Sequence, residues 1–109
     1  MEEIILVLTN LPDRDSAQRM AQSLIENRTA ACVNILAECS SVYRWQGKIE
    51  TASEVPLLIK STRAAYPRLE ASIRAHHPYE LPEIIAVPVN AGFPGYLLWV
   101  AREAQATEE

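Results

Sequence analysis

In the first third of the chain, two hydrophobic runs are separated by a segment whose apolar residues recur with the period of a helix. Residues 4–8 form a continuous apolar run, which predicts a strand buried on both faces and central in a sheet. Asp13 or Asp15 is then placed to cap a helix. The apolar positions of that helix recur at its own period, at Ala17, Met20, Ala21, Leu24 and Ile25. A second strand is predicted over residues 31–36.

The middle of the chain predicts a long hairpin. Residues 41–45 alternate before Gln46 and Gly47, and residues 48–50 leave the turn on its other side. Residues 55–59 are apolar again, although Pro56 cannot donate to a ladder and should lie at an edge or irregular position. If residues 31–45 and 48–59 pair as two long strands, they extend beyond strands of about 5 to 7 residues. A partner subunit would cover the exposed edges.

The last part repeats the pattern. Tyr66, Leu69 and Ile73 mark a helix that begins near Pro67 and ends before Pro78. A strand over residues 84–89 and a helix from about residue 94 follow. The order predicts one α+β domain over residues 1–109, with a ferredoxin-like (split βαβ) antiparallel sheet, a long central β-hairpin and an extra C-terminal helix.

Composition and the absence of certain motifs argue against several classes of function. The 109 residues carry a net charge of −4, which argues against nucleic acid as a partner. Three glycines cannot form a G-x-G-x-x-G turn or a P-loop, so we expect no nucleotide, and no hydrolase elbow is present to suggest an enzyme. The chain has no membrane-length apolar run and no export signal at its start, so a cytoplasmic protein is expected. Cys32 and Cys39 are predicted to be free thiols there.

Four segments spread along the chain form a shared pattern: residues 30–35 (AACVNI), 41–49 (SVYRWQGKI), 76–85 (HHPYELPEII) and 96–99 (YLLW). Together they resemble the CutA family of divalent-cation tolerance proteins. The resemblance implies a homotrimer in which long hairpins pack edge to edge, similar to the PII signalling proteins. Because aromatic residues anchor protein contacts, we place the interface at Tyr43, Trp45 and Trp99, with Gly47 at the hairpin turn.

The strongest metal candidates are His76 and His77, since neutral imidazole binds Cu(II), Ni(II) and Zn(II) well. Carboxylates at Glu80 and Glu83 are available to complete a site. Adjacent helical residues point about 100° apart, so both rings reach one ion only if the helix unwinds before Pro78. The alternative is that the histidines bond free carbonyls in the last helical turn.

The resemblance also implies a cysteine ligand at the end of the first strand, where this chain has Thr9. Its absence argues against high-affinity copper binding through a thiolate. Cys32 is a candidate replacement, although its apolar neighbours predict a buried and inert thiol.

Two functions remain open at this point. The first is a cytoplasmic, non-enzymatic homotrimer that binds a divalent metal ion, Cu(II) foremost, and contributes to metal tolerance. The second is a PII-like regulatory or scaffolding trimer that binds a small ligand or partner protein in clefts between subunits. Residues suited to line such a cleft are Tyr43, Arg44, Trp45, Tyr79 and Trp99, with Glu54, Lys60 and Glu83 as polar partners.

Overall fold

A computed structural model describes residues 2–106 as a mixed α+β fold with one antiparallel sheet and three helices. Four strands lie in the order β2-β4-β1-β5, and β3 pairs with the outer part of β4. In chain order the elements are β1 (Ile4–Leu11), α1 (Arg14–Glu26), β2 (Cys32–Ile35), β3 (Cys39–Trp45), β4 (Lys48–Thr62), α2 (Tyr66–His76), β5 (Ile85–Pro88) and α3 (Pro94–Glu103).

Strand β1 is central, as its apolar run predicted, because it pairs with both β4 and β5. It continues three residues beyond the predicted end, to Leu11. The prediction of burial on both faces was only partly right. The alternate residues from Ile5 to Leu11 are buried beneath the helices, whereas Leu6, Leu8 and Asn10 on the opposite face are half-buried.

Local sequence signals set the ends of the helices. The Asp13 carboxylate caps α1 by accepting a hydrogen bond from the Ser16 amide at 2.8 Å, and Asn27 ends the helix. Pro67 lies in the first turn of α2, which stops at His76 as the following proline predicted. Helices α1 and α2 share one core with β1 and β4, centred on Leu24, Leu57, Leu69 and Ile73.

Helix α3 closes the end of the sheet near the start of β1. Its buried Val100 packs against Ile4 and Ala31. The Arg28 guanidinium donates hydrogen bonds to the carbonyl oxygens of Gln105 (2.8 Å) and Arg102 (3.0 Å). The C-terminal end of α3 is therefore fixed to the loop that follows α1. None of the helices within residues 2–106 is long and apolar enough to span a membrane.

The long hairpin forms as predicted. Strand β3 pairs with β4 from Cys39 opposite Glu54 to Trp45 opposite Lys48. Gln46 and Gly47 have φ values of 51° and 81°, the left-handed pair of a type I′ turn. The hairpin gives the molecule its long dimension of 47 Å, against 26 and 23 Å in the other directions.

A bulge separates β2 from β3 and accounts for Pro56. Ile35 lies opposite Leu57 and Cys39 opposite Glu54, so four steps on one strand match three on the other. The Leu36 amide donates to the Pro56 carbonyl at 2.9 Å, which shows that Pro56 faces this irregular side. Pro56 is therefore inside a long strand and not at an edge, but at an irregular position, where its lack of an amide proton is tolerated.

Besides the end of β1, three predicted strand bounds were inexact. The second strand was predicted over residues 31–36 and spans Cys32–Ile35, because the bulge interrupts it. The fifth was predicted over residues 84–89 and pairs only at Ile85–Pro88. The apolar run 55–59 is the inner part of β4, which is continuous from the hairpin turn to Thr62.

Candidate functional site

An open groove of about 950 Å³ lies between the hairpin and the connector that joins α2 to β5. On the hairpin, Ser41, Tyr43, Ala52 and Glu54 share one face of the ribbon, since Ser41 pairs with Ala52 and Cys39 with Glu54. The connector approaches this face because His77 ends α2 in an extended conformation. The remaining lining residues are Asn10, Val42, Arg44, Trp45, Pro78, Tyr79, Glu80, Leu81 and Glu83.

His77 joins the connector to the central strand. Its Nε2 donates to the Asn10 carbonyl oxygen at 2.7 Å, and its Nδ1 accepts from the Tyr79 amide at 3.2 Å. These partners fix the neutral tautomer with the proton on Nε2. Burial lowers the pKa of His77, against the opposing effects of the Asn10 carbonyl and the Glu54 charge. Both ring nitrogens are thus engaged by hydrogen bonds within the chain.

His76 is placed differently. It is exposed in the last turn of α2, and its Nδ1 lies 3.0 Å from the Ser72 carbonyl oxygen, to which it donates. This is a bond to a helix carbonyl, as in the alternative to metal binding that the sequence offered, although Ser72 lies one position before the four carbonyls that a helix ending at His76 leaves free. The helix does unwind after His76, yet His77 then turns towards Asn10, so the two rings do not share a partner.

Glu54 and Tyr79 meet at the floor of the groove. Glu54 is only 8% exposed. Burial, together with a hydrogen bond to the Glu54 carboxylate, raises the pKa of Tyr79 to about 12. At the same end of β1, Asn10 donates from Nδ2 to the Glu83 carboxylate at 3.1 Å. Asn10 therefore contacts both His77 and Glu83, a role that the sequence did not reveal because both contacts are distant along the chain.

The predicted metal ligands do not converge within the chain. Among residues 2–106, no three His, Cys, Asp or Glu side chains are grouped so that they could hold a metal ion. Cys32 lies opposite Lys60, four residues along β4 from the partner of Asn10, which is about 13 Å at strand spacing. Its side chain is half-buried, less than predicted.

Thr9 lies in the core beneath the helices. It is fully buried between strand neighbours that face the same way, and its hydroxyl has no hydrogen-bond partner within the described residues. A hydroxyl in this position has no exposed path to an ion. Thr9 is consequently not a replacement for the cysteine ligand that the resemblance implies.

Most of the cleft residues expected from the sequence do line the groove. Tyr43, Arg44, Trp45, Tyr79, Glu54 and Glu83 are there. Trp99 and Lys60 are not. Trp99 lies on α3 beside Tyr96, with ring centroids 5.6 Å apart, and the Lys60 ammonium binds the Asn34 side chain on the sheet. Their positions depend on how α3 and β2 dock, which the local pattern does not show.

The aromatic residues assigned to an interface are exposed in the single chain. Tyr43, Trp45 and Trp99 have 44%, 37% and 39% of their surface exposed. Val42 and Ile49 are exposed further, at 69% and 70%, on the opposite face of the hairpin. The sequence reasoning missed these two residues, although their place in an alternating strand was a usable signal.

Comparison with known proteins decides the family. Residues 5–103 match the family described as "CutA1 divalent ion tolerance protein". The chain belongs to the CutA1 family. The divalent-cation tolerance protein CutA of Thermus thermophilus is 43% identical over 100 residues, which cover 92% of this chain and 95% of that protein. The crystal structure of CutA from Xylella fastidiosa has a TM-score of 0.91 at 43% identity, covering 94% of this chain and 98% of that one.

Two other CutA1 relatives carry a compartment in their names. A structure described as the periplasmic divalent cation tolerance protein CutA from Archaeoglobus fulgidus has a TM-score of 0.90 at 30% identity, covering 94% of this chain and 99% of that one. "Protein CutA, chloroplastic" of Arabidopsis thaliana is 38% identical over 96 residues, which cover 88% of this chain and 53% of that protein. Relatives of this chain are thus named for more than one compartment.

Proposed function

We propose that this CutA1 protein is a non-enzymatic homotrimer that binds divalent metal ions, Cu(II) foremost, and contributes to metal tolerance. The observation that carries the proposal is the match of residues 5–103 to a divalent ion tolerance family. Within one subunit the described residues offer no group of three ligands. Metal binding is therefore assigned to ligands that assemble between subunits.

The hairpin supports the trimer. Val42 and Ile49 are more than two thirds exposed, and both edges of the ribbon beyond β1 lack a strand partner within residues 2–106. Such an exposed apolar ribbon favours pairing with another chain. The strand order β2-β4-β1-β5, with two helices on one face, supports the ferredoxin-like arrangement. Tyr43, Trp45, Gly47 and Trp99 remain the proposed contact residues.

His76 is the proposed metal ligand within the subunit. It is exposed, and its Nδ1 already bonds a helix carbonyl, so Nε2 is the nitrogen available to an ion. His77 can bind only by giving up its bond to Asn10 or to Tyr79. Of the further candidates, Glu80 and Glu83 are exposed beside the groove, whereas Cys32 is remote from both histidines.

Calorimetric titration with Cu(II) tests the site. We expect micromolar or tighter binding to the wild type and at least tenfold weaker binding to the His76→Ala, His77→Ala double variant, a loss of about 1.4 kcal/mol or more. His76→Ala alone should show most of this loss. Arg74→Ala, an exposed change on the same helix, is the matched control. Equal copper affinity in the wild type and the double variant would refute the assignment.

Light scattering tests the assembly. We expect a mass of three 12.2 kDa subunits at low micromolar concentration. Trp45→Asp should dissociate the assembly or weaken it, because a charge would enter an aromatic contact. A mass near that of one subunit for the wild type would contradict the trimer.

The cytoplasm is the proposed location, and fractionation of cells that express the natural protein tests it. Recovery with a periplasmic marker would contradict it, and the relative named as periplasmic makes this test informative. The alternative function, a regulatory or scaffolding trimer that binds a ligand or partner in its clefts, has the groove as its structural support. It is less favoured because the relatives are named for divalent-cation tolerance.

A further inference from the structure

Helix α3 is attached to the sheet through a small apolar cluster of its own. The buried members of that cluster are Ile4, Ala31 and Val100, and it is distinct from the core beneath α1 and α2. Val100 is the buried residue of α3, whereas α1 buries four side chains, and α3 exposes Leu98 and Trp99 on its other side. Burial of apolar surface therefore holds α3 on the sheet less strongly than it holds α1.

Two arginines from different elements bind the last turn of α3. The Arg28 guanidinium donates from Nε to the Gln105 carbonyl oxygen at 2.8 Å and from Nη2 to the Arg102 carbonyl oxygen at 3.0 Å. Arg68, on α2, donates from Nη2 to the Ala104 carbonyl oxygen at 3.2 Å. Hydrogen bonds from a charged donor are stronger than those between neutral groups. The C-terminal end of α3 is thus held mainly by polar contacts.

The backbone of Arg28 shows that its side chain is needed at this place. Arg28 follows Asn27, the C-cap of α1, and has a φ of 57°. Glycine is the usual residue at this position, because a left-handed conformation costs free energy for a residue with a Cβ. The bonds of the guanidinium to α3 offset that cost.

The other end of α3 follows a connection without regular structure. The Val89 amide donates to the Ile4 carbonyl oxygen at 3.0 Å, and residues 89–93 belong to neither strand nor helix. In the first turn of α3, burial raises the pKa of Tyr96, and the neighbouring Cys32 side chain raises it further. Tyr96 therefore lies beside Cys32, and a movement of α3 about residues 89–93 would uncover that thiol.

We propose that α3 is a hinged strap, which opens as a unit about residues 89–93 while the rest of the chain stays folded, and that Arg28 and Arg68 set how often it opens. Opening exposes the Cys32 thiol and the apolar surface beneath the strap. The inference does not depend on metal binding. Because Trp99 on the strap is a proposed subunit contact, wild type and variants are compared at the same subunit concentration.

Native-state hydrogen exchange of the metal-free, full-length protein tests the strap. We expect the amides of α3 to be less protected than those in the first two turns of α1, since they become exposed whenever the strap opens. Arg28→Met should make the α3 amides exchange about tenfold faster and leave those of α1 unchanged, because two bonds from a charged donor are lost. Equal acceleration in both helices, or none in α3, would overturn the proposal.

Three further variants assign the effect to the arginines. Arg74→Met, the same change at an exposed arginine of α2, is the matched control and should exchange as the wild type does. Arg68→Met keeps the test decisive if Arg28→Met does not fold, and should accelerate α3 severalfold. Arg28→Lys keeps the charge but lacks the planar group that reaches two carbonyls, so it should also accelerate α3. Wild-type exchange in both Arg68→Met and Arg28→Lys would refute the role of the arginines.

Alkylation of the two thiols with iodoacetamide shows what the strap covers. Cys39 is exposed and pairs six residues further along β4 than Cys32, so it is a reference thiol in the same chain. Cys32 should react more slowly than Cys39 in the wild type. Arg28→Met should raise the Cys32 rate severalfold and leave the Cys39 rate unchanged. An unchanged Cys32 rate would contradict the proposal that opening uncovers this thiol.

Discussion

At the scale of single residues, the two adjacent histidines have opposite surroundings. His77 is partly buried and uses both ring nitrogens within the subunit, whereas His76 is exposed and bonds only the carbonyl four residues before it. Removing His77 leaves the Asn10 carbonyl and the Tyr79 amide without their partners. Removing His76 exposes one helix carbonyl to water, which replaces the lost bond.

The stabilities of the two alanine variants should therefore differ. In metal-free protein, His77→Ala should lower the free energy of unfolding by about 1 to 3 kcal/mol. His76→Ala should stay within about 0.5 kcal/mol of the wild type. Thermal unfolding monitored by circular dichroism checks this at a fixed subunit concentration. Equal midpoints for the two variants would show that the His77 bonds do not hold the connector.

The ionisation of Tyr79 makes a property of the groove measurable as a function of pH. Its pKa is raised from the ordinary 10.0 to about 12, by burial first and by the Glu54 carboxylate second. Since the folded protein favours the neutral phenol, Tyr79 contributes stability below pH 10 that is lost as the pH rises from 10 to about 12. Phenolate absorbance should show Tyr79 as a late-ionising group.

Two variants test whether the late ionisation step belongs to Tyr79. Tyr79→Phe should abolish it, and Glu54→Gln should move it to lower pH because the neighbouring negative charge is gone. Tyr96→Phe, which changes a tyrosine outside the groove, should leave the step at about 12 unchanged. A titration in which Tyr79→Phe removes only an ordinary step near 10 would contradict the contact between Glu54 and Tyr79.

Single residues also show what the sequence could reveal. Asp13 as a cap, Pro67 in the first helical turn and the stop before Pro78 act through neighbours within four positions, so local reasoning predicted them. Asn10 interacts with His77 and Glu83, which are 67 and 73 positions away. No local pattern encodes those contacts. The groove residues were recognised by type, but the network that joins them was not.

At the scale of elements, the hairpin turn depends on two residues with a left-handed backbone conformation. Gly47 has a φ of 81°, and a Cβ added there would meet nothing within 4 Å. The cost of a side chain at this position is therefore conformational and not steric. Gln46 already accepts a left-handed conformation with a side chain, at a φ of 51°.

Substitutions at the two turn positions should differ in their effect on the free energy of unfolding. Gly47→Ala should destabilise the protein by about 1 to 2 kcal/mol, the cost of a left-handed conformation for an L-residue. Gln46→Asn should be neutral or stabilising, because asparagine tolerates that conformation. Denaturant unfolding at one subunit concentration measures both. A Gly47→Ala variant as stable as the wild type would mean that the turn relaxes to another type.

The strands were harder to delimit than the helices. The sequence predicted the hairpin from alternation and a glycine, but its ladder is broken by the bulge between β2 and β3. The 15 residues of β4 include Pro56, a residue that argues against an inner strand. Only the pairing partner shows why Pro56 is tolerated, since its missing donor faces the irregular side.

At the scale of the whole molecule, the folded chain is long and exposes apolar side chains at its projecting end. Val42 and Ile49 lie on one face of the hairpin, and Tyr43 and Trp45 lie on the other. The core of α1, α2 and the sheet is complete without them. If subunits associate through the hairpin, folding and assembly are thermodynamically linked.

That linkage predicts an unfolding midpoint that rises with protein concentration. A tenfold dilution should lower the midpoint of the wild type, because dissociated subunits lose the hairpin contacts. Trp45→Asp should have a lower midpoint and a weaker dependence on concentration. Scanning calorimetry at several concentrations measures both proteins. A wild-type midpoint that is independent of concentration would indicate subunits that are stable alone.

The bulge at residues 36–38 joins two strand segments of opposite parity on one edge of β4. On β2 the even-numbered residues Cys32 and Asn34 face the same side as Lys60, whereas on β3 that side is taken by odd-numbered residues, beginning with Cys39. Deleting one residue from this segment would match three steps with three, so Cys39 would still lie opposite Glu54 and the faces of β3 would not change. The deletion would instead place Pro56, which has no amide proton, opposite a regular ladder position. In this protein the two-residue turn fixes the faces of the hairpin, and the extra residue at 36–38 accommodates Pro56.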